Sequence, residues 1–282
     1  MTNGIILIDK PSGITTFDII RKLRKVLGIK KMGHAGVLDK MATGLVVIAT
    51  NKATKLLNIF ENGYKVYEAE FTFGIVTDTY DLEGKILDKR DADRINKDKL
   101  LEIIKRYTGE IEQVPPPYSN IKIKGKRLYK YALNNEKVEL PKRRVTIFEL
   151  DLLNVEENKA MFRIKCSKGT YIRSLAHSIG KDMGVGAIVS YLRRTVIFPY
   201  TVEQASTIEN PKILPLEEAL KFMDEIVVDT PLIRNIKNGV NICKLLNCSR
   251  LTEKYYRLID TNYNVLAVIE KKGTSYSYKT IF

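Results

Sequence analysis

Gly33-His34-Ala35-Gly36-Val37-Leu38-Asp39-Lys40-Met41-Ala42-Thr43-Gly44 is the stretch around which the chain is organised. Gly33 and Gly36 flank His34, Asp39 follows three residues later, and Gly44 opens into the apolar run Leu45-Val46-Val47-Ile48. Glycines so placed let the backbone take positive φ or pass close to something bulky, which a regular helix or strand does not need. The apolar run predicts a strand over 44–49 buried on both faces. Asp39 therefore falls where a flexible loop meets a rigid scaffold, a place where catalytic side chains are often found. Spacing alone leaves two readings open: a catalytic carboxylate, or a turn residue beside an ordinary loop histidine.

Working outward, residues 4–8 (Gly-Ile-Ile-Leu-Ile) read as a buried strand ended by the turn Asp9-Lys10-Pro11-Ser12-Gly13. Thr15 or Thr16 can cap a helix with Phe17, Ile20, Leu23 and Leu27 on its apolar face and Gly28 as its stop. Residues 64–74 alternate, with Tyr67, Ala69, Phe71 and Phe73 on one face, and predict a half-buried antiparallel strand. A helix over roughly 98–108 and strands over about 144–153 and 160–166 follow. Ile172, Leu175, Ala176 and Ile179 then make a helical stripe. Tyr171 and Arg173 lie off that stripe near the helix start, where a cation opposes the dipole. A charge so placed suggests a partner such as a carboxylate. From about 215 a short helical piece leads into strands, of which Val265-Leu266-Ala267-Val268-Ile269 is the clearest.

These elements follow no regular strand-helix-strand period. The expected class is α+β, with a mixed, largely antiparallel sheet flanked by helices. The division expected is 1–214 for the main domain, with an insertion at about 115–145, and 215–282 for a small β-rich domain.

Lys and Arg number 47 against 33 Asp and Glu, a net charge of +14 that favours an anionic partner, nucleic acid first. A membrane surface would want an amphipathic basic helix or a lipidation signal, and neither is found. No apolar run approaches a bilayer span and residues 4–8 are too short for a signal peptide, so the expected location is the cytoplasm. Three cysteines (Cys166, Cys243, Cys248) imply no disulfide framework, and with only His34 and His177 beside them they argue against a zinc site. Pro115-Pro116-Pro117-Tyr118-Ser119 introduces a basic stretch, Lys122, Lys124, Lys126, Arg127 and Lys130, with Tyr129 and Tyr131 among the cations; Lys142-Arg143-Arg144 extends it. A lysine run alone is a solvated face. Interleaved tyrosines favour RNA, where rings stack bases and cations hold phosphates.

The loop 33–44 resembles the nucleophile loop of the TruB-type tRNA pseudouridine synthases, Gly-His-x-Gly-x-Leu-Asp-Pro-x-Ala-(Ser/Thr)-Gly, with departures at Val37 and Lys40. Ser167-Lys168-Gly169-Thr170-Tyr171-Ile172-Arg173 resembles the family's second signature, and Tyr191-Leu192-Arg193-Arg194-Thr195 its Leu-Arg-Arg motif. Thr77-Asp78-Thr79-Tyr80-Asp81-Leu82-Glu83-Gly84 is similar to its Thr-Asp-Thr-x-Asp-x-x-Gly loop. The Pro-Pro-x-Tyr-Ser insertion also matches, departing at Asn120 and Leu133. The resemblance covers about residues 4–200.

It implies the pseudouridine synthase fold with a C-terminal PUA-like RNA-binding domain. It also implies isomerisation of the tRNA T-loop uridine, position 55 of tRNA, to pseudouridine. Asp39 would be the essential carboxylate, paired with Arg173. His34 would occupy the space left by the flipped base, Tyr67 and Tyr171 would hold the uracil, Leu192 would close the apolar wall, and Lys55 would match the lysine of an Ala-Thr-Lys motif. No metal or cofactor is required. The partner expected is the tRNA T stem-loop, bound by a monomer. The rivals are a non-catalytic RNA-binding protein on the same scaffold, a synthase guided by a separate RNA, and a base-excising glycosylase.

Overall fold

Alternate residues of a strand point to opposite faces, and the first strand, β1 (Gly4–Lys10), buries both: Ile6 and Ile8 on one side, Ile5 and Leu7 on the other. The computed structural model describes residues 2–282 apart from 93, 120, 124, 129–130, 132–135, 137 and 139. Asn120, Lys124, Tyr129, Lys130 and Leu133 of the insertion thus lie outside the described residues.

The main sheet is built from β1, β2 (Met32–His34), β3 (Thr43–Thr50) and β4 (Lys65–Phe73). A hairpin of β5 (Ile75–Thr77) and β6 (Ile86–Lys89) follows, then β7 (Gly109–Gln113) and a short hairpin of β8 (Lys122–Ile123) and β9 (Lys126–Arg127). The long strands β10 (Arg143–Glu156), β11 (Lys159–Cys166) and β12 (Ala187–Ile197) return to the main sheet, followed by β13 (Tyr200–Thr201) and β14 (Ile213–Pro215). The order is β14-β1-β3-β12-β4-β11-β10-β7, with β2 added on β3 and β13 on β12. Its pairings are antiparallel except that β12 runs parallel to β3, with Arg193 opposite Thr43 and Arg194 opposite Gly44. That junction explains one glycine of the opening loop. A Cβ on Gly44 would lie 2.3 Å from the Arg194 carbonyl oxygen, and its φ is +104°.

Helix α1 (Thr16–Leu27) is fixed at its start by a capping box. The Thr15 hydroxyl accepts from the Asp18 N–H at 3.1 Å, and the Thr15 N–H donates to the Asp18 carboxylate at 2.9 Å. Such a cap contributes about 1 kcal/mol. The buried stripe is Thr16, Ile19, Ile20 and Leu23, so the expected place of Phe17 on the apolar face is corrected: it is 56% exposed, one residue off the stripe. With α3 (Lys97–Lys105) and α4 (Ile172–Met183), α1 covers one face of the sheet, packing Leu23, Leu100 and Ile179 in one cluster with Val46, Phe71 and Phe162. On the other side lie the 3-10 turn Asn51–Leu56 and α2 (Leu57–Asn62).

A second sheet follows, β15 (Asp224–Val227), β16 (Tyr255–Ile259), β17 (Val265–Lys272) and β18 (Ser275–Ile281) in that order. It has its own core around Leu258, Ala267 and Ile269. Leu216, Leu220 and Met223 join it to the main sheet, because they share a cluster with Leu7 and Val47 on one side and Ile259 and Val268 on the other. The cysteine count implied no disulfide framework, and the structure adds one bond that the count did not foresee. Cys243 and Cys248 are bonded, their Cα atoms 5.3 Å apart across the end of the short helix Ile242–Leu245, while Cys166 is free and buried. Among the described residues no helix is long and apolar enough to cross a membrane, and no group of three or more His, Cys, Asp or Glu is placed to hold a metal ion.

Candidate active site

A cleft of about 1130 Å³ opens beside the parallel junction of β3 and β12. Its floor is made by residues 36–39 of the opening loop, Tyr67 from β4, Leu192 and Arg194 from β12, and residues 171–173 at the start of α4. Asp39, Tyr67, Tyr171, Arg173 and Leu192 are thus brought together. His34 and Lys55 are not among the lining residues. Lys55 is exposed in the turn after β3, and His34 sits half-buried on β2 with Nδ1 lacking a hydrogen-bond partner among the described residues. Burial lowers the His34 pKa, and Arg194 lowers it further.

Three buried cations hold the floor in shape, Arg173 and Arg194 from within the lining and Lys10 from behind it. Arg173 stands at a helix start, where its charge opposes the dipole, and two carboxylates offset that placement. Its Nε and Nη2 donate to the two oxygens of Asp39, each at 2.9 Å. Nη1 donates to the Thr79 carbonyl at 3.0 Å and lies 3.3 Å from the Asp81 carboxylate, and Nη2 also reaches the Tyr118 carbonyl at 3.2 Å. The five N–H groups of a guanidinium therefore face five oxygens. The arginine is 6% exposed, whereas the Asp39 side chain keeps 34% of its surface open to the cleft. Burial pushes the Asp81 pKa up, while the Thr79 hydroxyl, Arg173 and the Glu83 N–H pull it back.

Lys10 is fully buried and donates to three carbonyls, those of Pro11 at 2.9 Å, Lys40 at 3.0 Å and Ala42 at 2.6 Å. Two of these belong to the segment just after Asp39. Arg194, 1% exposed, donates to the Leu45 carbonyl at 2.9 Å and to those of Val37 and Gly36 at 3.3 and 3.4 Å. The Thr16 hydroxyl accepts from the Leu38 N–H at 3.1 Å. The Asp39 loop is therefore fixed from both ends through its own backbone. Burial also raises the pKa of Tyr67 and of Tyr171, keeping both phenols protonated. Tyr171 is held in turn by Gln113, whose carboxamide accepts from its N–H at 2.7 Å and donates to its carbonyl at 3.0 Å.

A family model described as "TruB family pseudouridylate synthase (N terminal domain)" matches residues 24–172, just over half of the chain. The chain belongs to the TruB family. It is 40% identical over 247 residues to the tRNA pseudouridine synthase B of Clostridium tetani, covering 85% of this chain and 86% of that one. It is 39% identical over 293 residues to that of Lactobacillus acidophilus, covering 98% and 97%. Two solved structures share the fold. One is an H/ACA RNP bound to a substrate RNA containing 2'-deoxyuridine, at TM-score 0.73 and 21% identity; the other is a Cbf5-Nop10-Gar1 complex, at TM-score 0.73 and 22% identity. Each match covers 99% of this chain and 84% of the other.

In this TruB chain the rim of the cleft differs from its floor. Arg143 and Arg144 of β10 and Lys168 of the loop before α4 are exposed there, and Lys168 donates to the Asn62 side chain at the end of α2 at 2.7 Å. Lys65 beneath them is buried and donates to carbonyls at the C-terminal end of α2, Gly63 at 2.7 Å and Glu61 more closely; burial lowers its pKa to about 8. In the insertion, Lys126 pairs with Glu136 at 2.6 Å and lies 4.5 Å from the centre of the Tyr131 ring.

Sequence reasoning did not assign Lys10, Asp81 or Arg194 to the site. Asp81 and Arg194 carried a signal, since each stands in a motif matched to the family. Lys10 carried none, because two of its three acceptors, the carbonyls of Lys40 and Ala42, lie about thirty residues on, where no local pattern brings them to it.

Proposed function

We propose that the chain isomerises uridine to pseudouridine in tRNA, with the T-loop uridine as its target and Asp39 as the essential carboxylate. The observation that carries this reading is the bidentate Asp39–Arg173 pair at the floor of a cleft rimmed by exposed cations. The relatives named tRNA pseudouridine synthase B support the substrate class.

The reaction breaks the bond from ribose C1' to uracil N1, turns the base, and forms a bond from C1' to C5. The proton on C5 is lost and N1 gains one, so no electron is taken up or released and no redox carrier or energy source enters. Asp39 acts as nucleophile or base. Arg173 fixes both of its oxygens and compensates its charge away from bulk water. A stacked uridine must first be flipped out, at about a few kcal/mol. Tyr67 and Tyr171 then hold the uracil and Leu192 packs against it. His34, outside the cleft-lining set, fills the space left in the RNA, and the exposed Lys55 meets backbone phosphate. The chain works as a monomer, with residues 1–214 catalytic and 215–282, which carry the second sheet, a PUA-like RNA-binding unit.

The test is tritium release from unmodified tRNA transcribed with uridine tritiated at C5, for the purified wild type and Asp39→Asn, with tRNA binding measured alongside. We expect release by the wild type and a loss of at least about a thousandfold in the variant, as for an essential nucleophile, with binding retained. Binding without release by the wild type would replace this reading with the RNA-binding one. Release that requires an added guide RNA would assign the chain to guided synthases, and free uracil would mark a glycosylase.

A further inference from the structure

The loop from β5 to β6 reaches the floor of the cleft through Thr79 and Asp81, and the residue between them has an uncommon backbone. Tyr80 has φ +63°, a left-handed conformation rarely adopted by a bulky side chain. Two contacts hold it. Its carbonyl accepts from the Val189 N–H of β12 at 3.1 Å, and its ring lies on the imidazole of His177, centroids 3.9 Å apart and planes 11° from parallel. The rest of the turn is tightly closed. The Thr77 hydroxyl donates to the Asp81 carbonyl at 2.8 Å, the Glu83 N–H donates to the Asp81 carboxylate at 3.0 Å, and a Cβ on Gly84 would fall 2.2 Å from the Thr79 hydroxyl.

His177 stands on α4 four residues after Arg173, one turn along the same side of the helix. The loop is thus fastened to α4 twice: by the contacts of Arg173 with Thr79 and Asp81, and by the ring stack one turn on. Rotation about φ of Tyr80 turns the peptide that carries the Thr79 carbonyl, and ψ of the same residue swings the Asp81 backbone. The conformation of Tyr80 therefore sets two of the five oxygens that face Arg173. His177 Nδ1 is buried and has no hydrogen-bond partner among the described residues, so the stack, not a bond to Nδ1, holds that side of the ring. Neither Tyr80 nor His177 is among the cleft-lining residues.

We propose that Tyr80 and His177 are a positioning pair for the isomerisation: their stack holds the left-handed turn that aims the Thr79 carbonyl and the Asp81 carboxylate at Arg173, and so fixes the fork that Arg173 presents to Asp39. The proposal rests on the catalytic reading given above. It differs from simple packing in what the rings must preserve, which is the direction of a peptide and not a volume.

The test uses the full chain with His177→Ala, His177→Phe and Tyr80→Phe. Three quantities are measured: the single-turnover rate at saturating tRNA, the tRNA Kd, and amide exchange at Glu83 and Val189. His177→Ala should slow turnover about 10- to 100-fold with Kd within about twofold, since a catalytic group displaced by a fraction of an ångström loses rate and not affinity. Exchange at both amides should quicken. The two ring-conserving variants should return to within about threefold of the wild-type rate if alignment is what the stack supplies. An unchanged rate in His177→Ala, or an equal loss in His177→Ala and His177→Phe, would overturn the proposal. Should His177→Ala not fold, Tyr80→Asn, which removes the ring but tolerates a positive φ, against Tyr80→Phe makes the same comparison. Amide exchange needs no turnover. A wild type inactive on tRNA would therefore defeat the catalytic reading, while unchanged exchange in His177→Ala would separately defeat the stack as the anchor of the loop.

Discussion

The floor and the rim of the cleft are both basic, but their charges act on different things. At the floor and behind it, Arg173, Arg194 and Lys10 are 6%, 1% and 0% exposed, and they are occupied by carbonyls and carboxylates of the protein itself. At the rim, Arg143, Arg144 and Lys168 are exposed, and the pair of Arg144 with Glu110 is 3.6 Å long between side chains 77% and 66% exposed. An exposed pair of that kind contributes little, so it yields readily to a phosphate. On the reading proposed above, buried cations fix the shape of the Asp39 loop and exposed ones recruit the polyanion. Changes at the floor should therefore appear in the chemical step and in stability, and changes at the rim in affinity and salt dependence.

The hardest test of that division is Arg173→Met. It leaves Asp81 buried without its cation, so unfolding free energy should drop by about 3–5 kcal/mol, and the single-turnover rate should fall by about a hundredfold or more. A loss confined to tRNA binding would place Arg173 with the rim. Lys10→Met should come next, because it strips a donor from three carbonyls; urea denaturation should show a loss of about 2–3 kcal/mol. The double variant Arg143→Ala, Arg144→Ala should leave stability and the saturated rate unchanged. It should weaken tRNA binding and lower the slope of log affinity against log salt by about 1 to 2. An unchanged slope would remove these arginines from the capture surface.

The smallest effect is expected at His34. Burial holds its folded pKa below the ordinary 6.5. Below pH 6.5 the unfolded chain takes up a proton that the folded chain does not, so this histidine favours unfolding as the pH falls and ceases to do so above it. The stability difference between the wild type and His34→Gln, followed by denaturation from pH 7.5 to pH 5.5, should move against the wild type as acid is added. A difference that stays flat would show that the imidazole titrates normally.

Much of this architecture was legible because it rests on local period and composition. The alternation of Tyr67 to Phe73 gave β4, the run after Gly44 gave β3, and the stripe from Ile172 gave α4. Arg173 could be singled out because a cation at a helix start is locally wrong, and its partner proved to be a carboxylate. Phe17 was misread because a spacing of three fits either side of a neighbouring stripe, and packing against the sheet selected Ile19 and Leu23. Lys10 was invisible as a site residue, and Arg194 stood in the matched Leu-Arg-Arg motif without a role being legible for it. A charged side chain is expected at the surface, and only the folded arrangement of distant turns supplies acceptors that let it be buried. The Cys243–Cys248 bond was missed because counting cysteines tests for a network of bridges, whereas this one joins the two ends of a single short turn.

The placement of β12 also bears on how the chain is made. It lies between β3 and β4, so two strands completed within the first 73 residues flank a slot filled by residues 187–197. On a translating ribosome the β1–β3 pair and β4 emerge early but stay unjoined, each presenting an open edge, until more than a hundred further residues have been synthesised. Arg194 arrives with the same strand, so the Asp39 loop gains its second set of anchors only when the sheet closes. Assembly of the reacting loop and completion of the scaffold are thus one late event in the growth of the nascent chain.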